Sequence, residues 1–206
     1  MKVLLINGSP HEKGCTYTAL SLIAGELKAQ GIETEILHVG GQPVGGCIGC
    51  GGCRSGNGCV FGGVVNEAIE KAKTADAFVF GSPVHYASAA GNMASFMDRL
   101  AYAGGKYLAY KPAAVCCSAR RAGTTSTLDQ LVKYPQFFHM PLVNGSYWAM
   151  VHGSNPEQVL QDAEGCAVMQ ELGRNMAWLL RCIEAGKAAG FDHPQNPPRP
   201  MTSFIR

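Results

Sequence analysis

The segment Lys2–Thr18, KVLLINGSPHEKGCTYT, decides the fold. Lys2–Asn7 is an unbroken aliphatic run closed by Gly8, the pattern of a strand covered on both faces. From Thr16 the period changes. Ala19, Leu20, Ile23, Ala24 and Leu27 fall at helical spacing as far as Gln30, and Gly31 stops the helix. A buried strand passing through a Gly-Ser-Pro loop into a helix is the opening of a βαβ unit, and the rest of the chain repeats that alternation. Strands are expected at Glu33–Val39 (more polar, hence nearer the sheet edge), Ala75–Gly81, Pro112–Ser118 and Leu142–Trp148. Helices are expected at Val64–Thr74, Asn92–Tyr102, near Thr125–Lys133, and from Asn155-Pro156 to about Ala185. Five strands separated by helices make an α/β, doubly wound, three-layer domain around a parallel sheet. One domain spans residues 1–190, and the proline-rich stretch 191–206 reads as an extended tail.

Composition narrows the function. The 206 residues are 16% charged with a net charge of +2 and no Lys/Arg run, which argues against nucleic acid or an acidic membrane as partner. The apolar run Val3–Ile6 is too short for a secretory or membrane-spanning segment, so a cytoplasmic location is expected. Nine cysteines would then be thiols or metal ligands rather than disulfides. The low charge also points to surface covered by a cofactor or a partner subunit.

The loop after the first strand leads into a helix N-terminus, where unpaired N–H groups and the helix dipole favour an anion. Ser9, Thr16 and Thr18 add hydroxyls, and Gly8 and Gly14 allow close backbone approach. The stretch is neither Gly-x-Gly-x-x-Gly nor Gly-Lys-Ser/Thr, which argues against dinucleotide and ATP sites. A phosphate monoester held by neutral donors fits; a plain strand-to-helix turn with a threonine cap fits as well. A second stretch, Gly81-Ser-Pro-Val-His-Tyr, runs on to Phe96-Met97-Asp98-Arg99 after the third strand.

With Gly8-Ser9-Pro10…Gly14-Cys15-Thr16 and Ser82-Pro83-Val84…Phe96-Met97-Asp98-Arg99, residues 1–150 resemble the flavodoxin-like NADPH-dependent FMN reductase family. That resemblance implies a five-stranded parallel sheet in the order 2-1-3-4-5. It places Ser9, Gly14, Cys15, Thr16 and Tyr17 around the FMN phosphate, with Pro83, Val84, His85 and Tyr86 along the isoalloxazine edge. The loop from Ser118 to Gly123 would close the far side, and NAD(P)H would be the co-substrate. Two positions depart from the family pattern: Cys15 stands for the usual Asn, and His85 for the usual Tyr. The family's dimers and tetramers imply a homodimer or homotetramer here.

Residues 40–63 hold 11 of the 26 glycines and Cys47-x2-Cys50-x2-Cys53-x5-Cys59. So many glycines preclude a regular element, and a loop this long in a compact domain is usually functional. The spacing suits structural zinc poorly. It suits the corners of a [4Fe–4S] cluster and resembles the iron–sulfur flavoprotein branch of the same family. The same residues also read as a metal-free loop at a subunit interface. Cys116, Cys117, Cys166 and Cys182 read as buried packing residues. Leu172, Met176, Leu179, Leu180 and Ile183 form an apolar helix face; Trp148 and Trp178 are candidates for the flavin pocket or a dimer seam, and Arg120 and Arg121 for a nucleotide phosphate.

Three functions follow in order. The first is NAD(P)H-dependent reduction of FMN with onward transfer to a small acceptor such as a flavin or quinone. The second is an electron carrier holding FMN and [4Fe–4S] that exchanges electrons with ferredoxin. The third is a non-redox phosphate binder. No arrangement of histidine, carboxylate and nucleophile names a catalytic acid or base.

Overall fold

The computed structural model describes residues 1–204. Strand β1 (Lys2–Asn7) lies between β2 (Glu33–His38) and β3 (Ala77–His85), and β5 (Ala113–Ala119) and β6 (Met150–His152) complete a parallel sheet in the order β2-β1-β3-β5-β6. A two-residue strand, β4 (Ser88–Ala89), returns antiparallel on the end of β3. Counted without that hairpin, the parallel strands stand in the 2-1-3-4-5 order expected.

The helices form the outer layers. On one face α1 (Cys15–Ala29), α5 (Pro156–Val159) and α6 (Ala163–Ala188) bury Leu20, Ile23, Leu27, Leu172 and Met176 against Val3, Leu5 and Val79. On the other, α2 (Val64–Thr74), α3 (Gly91–Gly104) and α4 (Thr124–Phe137) cover Leu4, Ile6, Phe78 and Phe80 with Ile69, Phe96 and Leu131. The alternate residues of β1 therefore feed two separate cores, which is why the strand is aliphatic throughout. The polar β2 does sit at the sheet edge, where Glu35 lies 2.9 Å from Lys2 Nζ and 2.6 Å from Lys71 Nζ.

Two elements differ from expectation. The fifth strand was expected at Leu142–Trp148, but only Leu142 bridges Ala113; the chain leaves the edge and rejoins it as β6 opposite Cys117–Ala119. Asn144-Gly145-Ser146 breaks the run, and Glu171 draws the excursion onto α6 by accepting from Ser146 N and Oγ at 2.8 and 2.6 Å. The single C-terminal helix is two. Asn155 caps α5 as expected, through Gln158 N at 2.8 Å, but α5 ends at Val159. Asp162 then caps α6 through Gly165 N at 3.0 Å while also accepting from His152 N at 2.7 Å. Beyond α6 the described tail has no regular structure, and its His193 stacks on Tyr110 with ring centroids 4.5 Å apart. No helix among the described residues is long and apolar enough to cross a membrane.

Candidate functional site

The loops following β1, β3 and β5 meet beyond the carboxyl ends of the strands, where ligands bind in doubly wound folds. The first loop is held in shape by the buried Asn7, whose Oδ1 accepts from Ser9 N at 3.1 Å and whose Nδ2 donates to Glu12 O at 2.9 Å. Ser9 Oγ accepts from His11 N at 3.1 Å. His38 supports the loop from β2, with Nε2 2.8 Å from Ser9 O. A carbonyl only accepts, so this bond requires the His38 tautomer with its proton on Nε2. Gly40 backs the same peptide so closely that a Cβ there would lie 2.1 Å from Ser9 O.

Gly14 is the N-cap of α1. It supplies no side-chain cap, and the first turn contains no acidic residue. The positive end of α1 is thus open to an anion, and this uncapped end with its neutral hydroxyls suits the phosphate of FMN. The buried Thr16 reaches across the site, its Oγ1 2.8 Å from Ser118 Oγ near the carboxyl end of β5. Tyr17 is half-buried beside it. Cys15 turns elsewhere: its Sγ donates to Gly153 O at 3.5 Å, and burial raises the thiol pKa, so it remains neutral.

The second loop is a tight hairpin. Pro83 and Val84 are half-buried, whereas His85 and Tyr86 are exposed. Tyr86 and Ala87 take φ values of +51° and +58°, the left-handed pair that a two-residue hairpin demands, although neither is glycine. Each such residue costs on the order of 1 kcal/mol, and α4 holds the turn in place. Gln130 Oε1 accepts from Ser88 Oγ at 2.6 Å and Ala89 N at 2.9 Å, and Ser126 Oγ donates to Ala87 O at 2.6 Å. Gly123, at φ +96°, packs under the turn, where a Cβ would lie 2.8 Å from Ala87 Cα. Arg120 and Arg121 are exposed and make no ion pair among the described residues.

The structure therefore brings Ser9, Gly14, Thr16 and Ser118 to one point and Pro83, Val84 and Gly123 to another. His85 and Tyr86 flank them in solvent, and Cys15 faces away. Sequence reasoning missed His38, Gly40 and Gln130, all of which act through contacts distant in the chain.

The four-cysteine loop starts next to this site. Asn92, in the first turn of α3, accepts from Val44 N at 3.1 Å and donates to Gly40 O and Gln42 O at 3.2 and 3.0 Å. The loop then runs along α3. Gly51 and Gly56, both left-handed, bracket a single 3-10 turn over Gly52–Ser55 that carries Cys53. Asn66 fixes Cys59 by accepting from its N–H at 2.8 Å and donating to its carbonyl at 3.0 Å. Cys47, Cys50, Cys53 and Cys59 all line one cavity of about 320 Å³, together with Arg99 and Tyr102. None is in a disulfide. Arg99 Nε donates to Cys59 Sγ at 3.2 Å, while its Nη1 and Nη2 reach Gly45 O at 3.4 Å and Gly62 O at 3.1 Å.

No three His, Cys, Asp or Glu side chains among the described residues converge on a single metal ion. A [4Fe–4S] cluster makes a different demand, since it takes one thiolate at each of four separate corners. The four thiols, none in a disulfide, line one cavity and so supply the number and type of ligands that such a cluster needs.

The remaining cysteines divide. Cys116 and Cys117 are buried in β5, and burial raises both thiol pKa values, that of Cys117 to about 12. Cys166 is half-buried and donates to Val159 O at 3.2 Å. Cys182 is exposed, contrary to expectation, because the buried stripe of α6 runs through Leu172, Met176 and Leu180 and a residue two beyond Leu180 faces away. Trp148 lines a cavity of about 470 Å³ between α4 and residues 143–149, to which none of the three cofactor loops contributes. Trp178 is exposed on α6.

Residues 1–155 match the family model described as NADPH-dependent FMN reductase. An iron–sulfur flavoprotein of Methanocaldococcus jannaschii is 28% identical over 192 residues, 89% of this chain and 100% of that protein. One from Archaeoglobus fulgidus is 36% identical over 99 residues, 48% of each chain. Among solved structures, a flavodoxin from the domain Archaea superposes with a TM-score of 0.60 at 14% identity, covering 88% of this chain and 99% of its own, and shares the fold. By its fold and by the match over residues 1–155, the chain belongs to the NADPH-dependent FMN reductase family of flavin oxidoreductases.

Proposed function

We propose that the chain is an iron–sulfur flavoprotein that carries FMN on the loops after β1, β3 and β5 and a [4Fe–4S] cluster on Cys47, Cys50, Cys53 and Cys59. The observation that carries this reading is the single cavity lined by all four thiols of a loop tethered through Asn92 to the phosphate-loop side of the sheet. The names of the relatives matched here point the same way. Bound FMN can take up a hydride as two electrons and release them singly, which suits it to link NAD(P)H or a small acceptor to one-electron carriers such as ferredoxin.

The protein's own part is to bind and orient. Ser9, Thr16, Ser118 and the amino end of α1 would hold the phosphate, with Gly14 and Tyr17 beside them and Cys15 packing behind. Pro83, Val84, His85 and Tyr86 would flank the ring, with Gly123 beneath the hairpin. Direct reduction by NAD(P)H, with delivery to a small acceptor, is a second reading. The unpaired Arg120 and Arg121 favour it, standing where a nucleotide phosphate could meet them. Exposed Ile48, Val60, Phe61 and Tyr102 around the cysteine cavity suit a homodimer or homotetramer in which a partner subunit covers them.

The deciding experiment is anaerobic purification followed by counting FMN, iron and acid-labile sulfide per chain. About four irons with one FMN is the expected result. FMN without iron after reconstitution would refute the cluster and leave the reductase. Rapid reduction by reduced ferredoxin with negligible NAD(P)H oxidation would favour the carrier over the second reading.

A further inference from the structure

We propose that Arg99 is the positioning residue of the four-cysteine loop: it clamps the two ends of the loop together and donates a hydrogen bond to the cluster sulfur at Cys59. The inference rests on the cluster reading above and deepens it. Arg99 is only 6% exposed, and its guanidinium serves three points of one loop. Nη1 holds Gly45, two residues before the first cysteine; Nη2 holds Gly62, three residues after the last; and Nε donates to Cys59 Sγ at 3.2 Å. The Phe61 ring covers the cation, 5.5 Å from Cζ.

What the guanidinium lacks is a counter-charge. No carboxylate pairs with Arg99 among the described residues, and the adjacent Asp98 is engaged by Tyr134 Oη at 2.6 Å. A buried cation without a partner is expensive, and buried charges are normally paired or placed beside a metal centre. A thiolate-ligated cluster is an anion at this position. One-electron reduction adds a further negative charge, so a cationic donor at Cys59 Sγ favours the reduced form and raises the cluster potential.

The test compares the wild-type chain with Arg99→Lys and Arg99→Gln, each purified anaerobically and reconstituted with ferrous iron and sulfide. FMN stoichiometry and thermal melting verify that each variant folds. Arg99→Gln is expected to shift the cluster couple at least tenfold toward the oxidised form, roughly 59 mV downward for one electron, in an EPR-monitored redox titration. Arg99→Lys, which keeps the charge but not the forked donors, is expected to shift it less. In the iron-free chains, amide exchange over residues 45–62 is expected to be at least tenfold faster in both variants. Equal potentials and equal exchange in wild type and Arg99→Gln would overturn the proposal. If Arg99→Gln does not fold, the same equalities in Arg99→Lys overturn it. A wild-type chain that takes up no iron would overturn the cluster reading and the bond to the cluster with it; the exchange comparison then decides the clamp alone.

Discussion

Replacing Gly40 with alanine puts a single methyl group against the phosphate loop. An ideal Cβ at this position lies 2.1 Å from Ser9 O, 2.4 Å from Ser9 C and 2.6 Å from Gly8 O, whereas ordinary contact begins at 3.4 Å. All three obstacles are backbone, so no rotamer relieves them, and the end of β2 and the first loop must part by more than 1 Å. The displaced Ser9 carbonyl also receives the His38 Nε2 bond of 2.8 Å, which the shift would stretch or break. Overpacking of this kind costs about 1–3 kcal/mol. In a chain of this size that corresponds to a melting temperature lower by roughly 2–12 °C. If the phosphate donors move with the loop, a loss of about 1.4–2.8 kcal/mol in binding weakens the FMN Kd roughly 10- to 100-fold. Flavin fluorescence quenching on the apoprotein measures the Kd, and circular dichroism follows the melt. Gly25→Ala is the matched control: it is an exposed position in α1 with nothing within 4 Å of the added carbon, and it should be neutral or stabilising by up to about 1 kcal/mol. A Gly40→Ala protein that binds FMN within twofold of wild type would show that this close approach does not shape the phosphate site.

Three further outcomes are expected. Thr16→Val removes the 2.8 Å bond to Ser118 and leaves a buried hydroxyl without its partner, so FMN binding should weaken roughly fivefold or more by the same titration, and Ser118→Ala, which strands the Thr16 hydroxyl in turn, should weaken it as well. In the unfolding equilibrium, Glu35→Gln should cost no more than about 1 kcal/mol at pH 7, since the pair is partly exposed and screened. The Lys71 and Lys2 ammonium groups hold the Glu35 carboxyl below its ordinary 4.5, so its stabilisation is present above that pH and disappears as pH falls through the depressed value; a gap between variant and wild type that does not shrink as pH is lowered progressively below 4.5 would contradict this. In iron-free protein at pH 8, iodoacetamide should modify the exposed Cys47, Cys50 and Cys182 while sparing Cys116 and Cys117. With a pKa near 12, Cys117 has only about one thiolate in ten thousand at that pH, and peptide mass spectrometry reads the difference.

The sequence carried the elements whose pattern is local. Val64–Thr74 is expected and found with the same limits, because Val65, Ala68, Ile69 and Ala72 mark its buried face in the chain itself. β1 is legible because both faces are covered and every residue from Val3 to Ile6 is aliphatic. The failures share a cause. Leu142–Trp148 contains apolar residues at both ends, but Glu171, 25 residues away, captures Ser146 and lifts the middle off the sheet. The break between α5 and α6 has no glycine or proline to announce it, and depends on Asp162 serving Gly165 and His152 together. The candidate site behaves in the same way. The loop proposed for the phosphate is marked in the chain by Gly8-Ser9-Pro10 and Thr16, and Asn7 holds it locally, yet it is also fixed by His38 at the end of β2 and Gly40 just beyond, which no local pattern announces.

These distant contacts also bear on how the two candidate cofactor regions relate. Gly40 presses on Ser9 from behind, and its carbonyl accepts from Asn92, which also anchors Val44 and Gln42 at the start of the cysteine loop. One short segment, 38–44, therefore supports the phosphate loop at one end and launches the cysteine loop at the other. Asn92 is the first-turn residue of α3 and Arg99 lies two turns further on, so a single helix sets both the entry of the cysteine loop and its closure. The same helix begins two residues after β4, the hairpin strand that Gln130 holds beside the ring side of the site. Packed through Met93, Phe96, Met97 and Leu100, α3 thereby gives the loops beyond β1 and β3 and the thiol cavity a common frame. In the proposed iron–sulfur flavoprotein, this packed helix rather than the glycine-rich loop itself would set the separation of the two centres.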